Sequence, residues 1–302
     1  MRRLLPLLVA CAFLTADAAE AALPICSPGQ TPAPPLAAGR SAAPAAPSPP
    51  ATATPAPSRL ARAEREPKRI PPPQGRAAAV KNPLYALRKA QAKCRVPAIK
   101  AGDWASTKKY MRAVAACMDR VWTRQFAQAR LYYTLPPRRF VRHRVRDRDC
   151  GMMPAKGAAG TYCDETRIFY VIVERYEMHP SSAAYLAEVI AHEYGHHVQN
   201  MAYISDYAGE AYDEARSAAK EDLVSRRVEL QAECLAGVSI GAMGRSMPAW
   251  AQFRYGYLGT LPGQWVRDHG RLGTQLRWLE KGYRSRRAGA CDTWSPPRRE
   301  VT

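Results

Sequence analysis

The chain has 302 residues, 47% hydrophobic and 24% charged, with 45 Lys and Arg against 26 Asp and Glu for a net charge of +19. This length and apolar content are enough for one compact domain with its own core. Beyond the N-terminus no stretch approaches the ~18 apolar residues of a spanning helix, so no transmembrane helix is expected there. Basic runs such as Pro137-Arg138-Arg139 and Arg284 to Arg287 have no interleaved aromatics and no recognised nucleic-acid motif, so nucleic acid is not an expected partner. The excess of cations suits anionic cell-envelope polymers or acidic substrates instead.

Met1-Arg2-Arg3 followed by the apolar run Leu4 to Leu14 reads as a secretory signal over residues 1–22, with small-residue cleavage sites at Ala16-Asp17-Ala18 and Ala19-Glu20-Ala21. A rival reading takes Leu8-Val9-Ala10-Cys11 as a lipid-attachment site at Cys11, although that cysteine lies unusually near the start. Either reading places the protein outside the cytoplasm. Residues 23–82 are dominated by Pro, Ala and Ser, with Pro34-Pro35, Pro49-Pro50 and Pro71-Pro72-Pro73, and read as a disordered, partly extended linker. Residues 1–80 hold 9 basic and 4 acidic groups, which leaves +14 on the remainder. A single domain is expected over residues 83–295, with 296–302 as a tail.

Within it, Leu84 to Cys94 and Ser106 to Phe126 read as helices, and Tyr132 to Val145 and Arg167 to Val173 as strands. Helices follow over Ser182 to Tyr203, Gly209 to Val224 and Ser225 to Met243, where Gly244 is a stop signal, and within Gly263 to Tyr283. Strands early and helices late predict an α+β fold with a small sheet packed beside the helix at Ser182. An exported chain is expected to pair its cysteines. Cys150 with Cys163, flanking a Gly- and Ala-rich loop, is the best pair and stabilises by about 3 kcal/mol in the chain-entropy view. Cys94 with Cys117 is a second. Cys234 either pairs with Cys291 or remains a buried thiol, and Cys26 is left over.

His192-Glu193-Tyr194-Gly195-His196 spells HExxH inside one of these helices. Residues four apart share a helix face, so both imidazoles can reach one ion, with Glu193 beside the remaining coordination position. A catalytic zinc needs a third protein ligand. A metzincin extension is excluded, because Gln199 and Ala202 stand where glycine and histidine would be required. Glu229 and Glu233, four apart on the next long helix, offer carboxylates, with Glu229 assigned to the metal and Glu233 to orienting a ligating imidazole. The alternative has both acids paired with Arg226 and Arg227. His197, about 100° around the helix from its neighbour, should point away from the metal. His269 is a candidate oxyanion donor, or a helix cap packed on Trp265.

Ala191 to Gln199 reads AHEYGHHVQ and Glu229 to Gly237 reads ELQAECLAG, and both stretches resemble signatures of the neutral zinc metallopeptidases of bacteria. Cys150-Gly151 with Tyr162-Cys163, and His269-Gly270 with Gln275, Arg277, Trp278 and Cys291-Asp292-Thr293, are similar to that family too, so the likeness runs from about Cys94 to Trp294. The resemblance implies a zincin-like, gluzincin-type domain with one catalytic Zn2+ held by His192, His196 and Glu229, and Glu193 as general base. Three positions depart from the pattern: Glu233 replaces Asp, Ser239 stands where Trp is common, and Asp164 where Pro usually follows the cysteine. The expected function is a zinc endopeptidase acting on peptide or protein. The competing one is a zinc-stabilised, catalytically weak envelope-binding protein.

Overall fold

The computed structural model describes residues 9–11 and 69–302, so most of the signal, linker residues 23–68 and Cys26 lie outside the described residues. Among these, six short strands and eight α-helices give a mixed α+β architecture that is mostly helical, with a small sheet. The helices are α1 (Arg76–Val80), α2 (Trp104–Ala129), α3 (Ala183–Met201), α4 (Ile204–Asp213), α5 (Ala218–Met243), α6 (Trp250–Arg254), α7 (Gly263–His269) and α8 (Leu272–Ser285). The strands are β1 (Val9–Cys11), β2 (Arg138–Val141), β3 (Val145–Asp147), β4 (Gly151–Met153), β5 (Gly160–Cys163) and β6 (Ile168–Ile172).

The apolar, proline-free sequence of α3 makes it a central helix, buried on nearly every face. Sheet strands β5 and β6 lie against one side of it, and α5 and α2 against others. The four-stranded sheet runs β1-β5-β6-β2, with β5 antiparallel to both β1 and β6 and β2 parallel to β6. β3 and β4 form a separate hairpin. Gly195 sets the spacing of the two site-bearing helices: a Cβ there would stand 2.7 Å from the Ala232 carbonyl oxygen of α5. The Asp103 side chain caps α2 by accepting from the Ser106 N–H at 3.1 Å, and Arg130 ends it in the left-handed region.

All three disulfides open to the described cysteines are formed: Cys94–Cys117, Cys150–Cys163 and Cys234–Cys291. Cys234 is therefore not a free thiol, and its bridge ties α5 to the turn after α8. Ser239, where the family often has Trp, accepts from the Trp122 indole at 2.9 Å and donates to the Leu235 carbonyl at 3.0 Å. The small side chain leaves room for the large one from α2.

Several expected boundaries move. Leu84 to Cys94 is not a helix, because after the 3-10 turn Pro83–Ala86 its backbone groups serve other elements, with Ala90 N–H donating to Arg286 O and Ala92 N–H to Ala242 O. The expected strand from Tyr132 to Val145 divides into β2 and β3, and Pro136 and Pro137 precede β2 without N–H groups to pair. The helix break expected at Ser225 falls at Glu214–Ser217, and the later helical run breaks at Gly270, where φ is +82°. β4 and β5 occupy what reads as a loop between Cys150 and Cys163.

The packed chain also extends beyond residues 83–295. Ala78 and Ala79 are buried on α1, the Asn82 amide donates to Ala202 O, and Ile70 bridges Leu131. At the other end Val301 is buried and the Trp278 indole donates to Glu300 O at 3.1 Å.

Asp147 organises the disulfide loop. It accepts from the N–H groups of Asp149 and Cys150 and from the hydroxyls of Thr166 and Tyr170. Burial works to raise its pKa, but these donors outweigh it and hold the carboxyl down at about 2. A depressed folded value stabilises above the unfolded pKa of ~3.9 and fades as pH falls toward 2. Asp147→Ala should therefore cost about 2 kcal/mol at pH 7, a Tm loss of roughly 4–8 °C that narrows between pH 4 and 2. Equal Tm values at pH 7 would refute this role.

Candidate metal centre

Helical geometry stacks His192 over His196 on one face of α3, and their Nε2 atoms come within 3.0 Å of each other. Glu229 reaches them from α5, its Oε2 lying 3.2 Å from His192 Nε2 and 3.6 Å from His196 Nε2. All three residues are buried.

The outward nitrogens show what this group is built for. His192 Nδ1 faces Glu233 Oε2 at 2.7 Å, and His196 Nδ1 faces Gln199 Oε1 at 2.8 Å. Both partners are acceptors, so each Nδ1 carries the proton and each Nε2 presents a lone pair. Gln199 is held the right way round by its own amide nitrogen, which donates to Val228 O at 2.8 Å and Gln231 Oε1 at 3.0 Å. Two lone pairs and a carboxylate oxygen thus converge with no donor among them, which is the environment of a cation. Four-coordinate zinc with bonds near 2.05 Å spaces its ligand atoms by about 3.3 Å, and the measured 3.0, 3.2 and 3.6 Å bracket that value.

Burial works to raise the pKa of Glu229, and the neighbouring His269 opposes it and holds the carboxyl below the usual carboxylate range. Burial lowers the pKa of His196 and so favours the neutral, lone-pair form. Arg226 and Arg227, the other partners considered for the two glutamates, donate elsewhere, to the carbonyls of Arg267, Thr293 and Pro296.

Glu193 is fully buried beside His192, and neither carboxylate oxygen makes a well-formed hydrogen bond. Burial drives its pKa up, opposed in part by His192 and the backbone amide of Tyr162. Its room comes from Gly160 on β5, where a Cβ would stand 2.5 Å from Glu193 Oε1 and 2.7 Å from Cγ. Gly160→Ala should displace the Glu193 carboxylate by about an ångström while metal content stays at the wild-type level. A crystal structure of that variant with Glu193 undisplaced would contradict this placement.

His269 ends α7 with its Nε2 3.4 Å from Glu229 Oε2, and its ring packs on Trp265 at 4.9 Å. His197 turns the other way. It lies between the Thr134 carbonyl at 2.7 Å and the Tyr162 hydroxyl at 3.0 Å, with its pKa pushed down by burial to about 4. It fastens α3 to β5. A second cluster, Asp147 with Cys150 and Cys163, is no metal site, since both sulfurs belong to a disulfide. Gln199 and Gly160 escaped the sequence reading. Gln199 had a usable signal, since it lies three residues after His196 on the same helix face, but the contact from Gly160 depends on tertiary packing.

A buried His-His-Glu group of acceptors on two packed helices defines a protein able to hold a metal ion next to an available carboxylate. The family described as "Putative neutral zinc metallopeptidase" matches residues 82–250, more than half of the chain, and the chain belongs to that family. The matched region stops at 250, short of the Trp294 suggested by the C-terminal likeness. Uncharacterized proteins of Mycobacterium bovis and of two strains of Mycobacterium tuberculosis are 30% identical over 200 residues, covering 54% of this chain and 64% of each relative. The chain thus spans less than two thirds of the length of the curated relatives it matches. No solved structure matches the chain.

Proposed function

We propose that this protein is an exported zinc-dependent endopeptidase with a zincin-like, gluzincin-type domain, in which His192, His196 and Glu229 hold one catalytic zinc ion. The observation that carries this reading is the convergence of three acceptor atoms whose partners, Glu233 and Gln199, turn the imidazole protons outward. A zinc ion bound there supplies a water of lowered pKa and polarises a substrate carbonyl.

The chain's own residues do the rest. Glu193 would take the proton of the attacking water and return it to the leaving amine, with a cation held beside it favouring the carboxylate form that burial alone disfavours. Glu233 holds His192 in the required tautomer, and Gln199 does the same for His196. His269, at the rim of the group, donates to the oxyanion as the carbonyl becomes tetrahedral. Three disulfides among the described residues fit an oxidising compartment, in line with the secretory signal expected from the sequence over residues 1–22. No described helix is long and apolar enough to cross a membrane. The basic domain suits peptide substrates near anionic envelope polymers.

The test is cleavage of an unfolded protein by the purified chain. Stripping the metal with a chelator should abolish hydrolysis, and stoichiometric zinc should restore it. Hydrolysis that survives complete metal removal would refute the proposal.

A further inference from the structure

Behind His192 lies a cluster that the proposed chemistry leaves unexplained. Glu188 is one helical turn before His192 on α3, Glu233 is on α5, and Tyr257 is in the 3-10 turn Tyr255–Tyr257 after α6. They are 2%, 3% and 6% exposed, so their protons must be shared largely among protein groups. The Tyr257 hydroxyl lies 2.5 Å from Glu188 Oε1 and also contacts Glu233 Oε1.

A phenol has one proton and can donate it to only one of two carboxyl groups. Glu233 Oε2 already accepts from His192 Nδ1, and a carboxylate is the stronger acceptor for that bond. With Glu233 in that role, the second short contact is satisfied when Glu188 is the carboxylic acid and donates to the phenol oxygen. The resulting chain runs from Glu188 O–H to Tyr257 O, from Tyr257 O–H to Glu233, and from His192 Nδ1–H to Glu233. Burial, with the nearby Glu233 charge, favours that neutral form of Glu188.

We propose that Tyr257 is a positioning residue of the metal centre: seated between Glu188 and Glu233, its hydroxyl holds the Glu233 carboxylate on His192 Nδ1 and so aims His192 Nε2 at the ion. The inference rests on the metal site proposed above. It also accounts for the family departure at 233. Glu is one methylene longer than Asp and has an additional torsion to restrain, and Tyr257 restrains it from outside the matched family region of 82–250.

Zinc affinity, measured by competition with a chromophoric chelator, is the test, with the Tm of the metal-free protein as a check on folding. Tyr257→Phe keeps the ring and removes the hydroxyl, and should weaken zinc binding 10- to 100-fold with little change in metal-free Tm. Glu188→Gln, whose amide can replace the carboxylic acid as donor, should stay within about threefold of wild type. Glu233→Ala should weaken binding, and adding Tyr257→Phe to it should weaken it no further, because the hydroxyl acts through Glu233. Should Tyr257→Phe lower the metal-free Tm markedly, the Glu188→Gln and Glu188→Ala pair decides, with only the second expected to lose affinity. Unchanged affinity in Tyr257→Phe, an undiminished further loss in the Glu233→Ala background, or a Glu188→Gln as weak as Tyr257→Phe would each overturn the proposal. Wild type failing to bind zinc would remove the metal site as well, which separates that failure from this one.

Discussion

Glu193→Gln is expected to bind zinc as tightly as wild type and to lose peptide hydrolysis by about two to four powers of ten. The two side chains have nearly the same shape, so the helix, the contact with Gly160 and the converging ligand atoms should all persist. What disappears is the capacity to accept a proton. Metal analysis alongside steady-state cleavage separates the two effects. Turnover unchanged in the variant would remove Glu193 from the mechanism, and loss of zinc would mean the carboxylate serves the metal instead.

Glu229→Ala should strike the metal itself. Structural zinc sites with four protein ligands bind with roughly 10–16 kcal/mol, or about 2.5–4 kcal/mol per ligand, so loss of one should weaken affinity by about two to three powers of ten. The loss should be greater than for Glu233, because Glu229 oxygen is in the cluster while Glu233 stands behind His192. Zinc should raise the Tm of wild type in proportion to the logarithm of its concentration over the dissociation constant, and should barely move that of Glu229→Ala in the same range. Equal Tm responses would assign the third ligand to another residue.

The part of this protein that was legible in the sequence is the part governed by local periodicity. Four-residue spacing placed His192 with His196 and Glu229 with Glu233, because side chains four apart must share a helix face. Long apolar runs marked α2, α3 and the body of α5 for the same reason. The disulfides could be read because a chain whose N-terminus reads as a secretory signal is expected to pair its cysteines. The misplaced elements are those whose backbone hydrogen bonds are non-local. Residues 87–94 have helix-compatible composition but pair with Arg286 and Ala242, and β5 begins at the end of a Gly- and Ala-rich stretch with Gly160, whose contact with Glu193 leaves no room for a Cβ. Tyr257 had no signal at all. Its role depends on a loop that folds back over two glutamates, a relation that residue spacing does not encode.

One measurement bears most directly on the converging ligands: a crystal structure of the zinc-loaded protein with anomalous diffraction recorded on both sides of the zinc edge. One peak per chain is expected, within bonding distance of His192 Nε2, His196 Nε2 and a Glu229 oxygen, with Glu193 beside it but not bound. A peak at other residues, or none between these three in a protein that contains zinc, would contradict the site and the enzyme built on it.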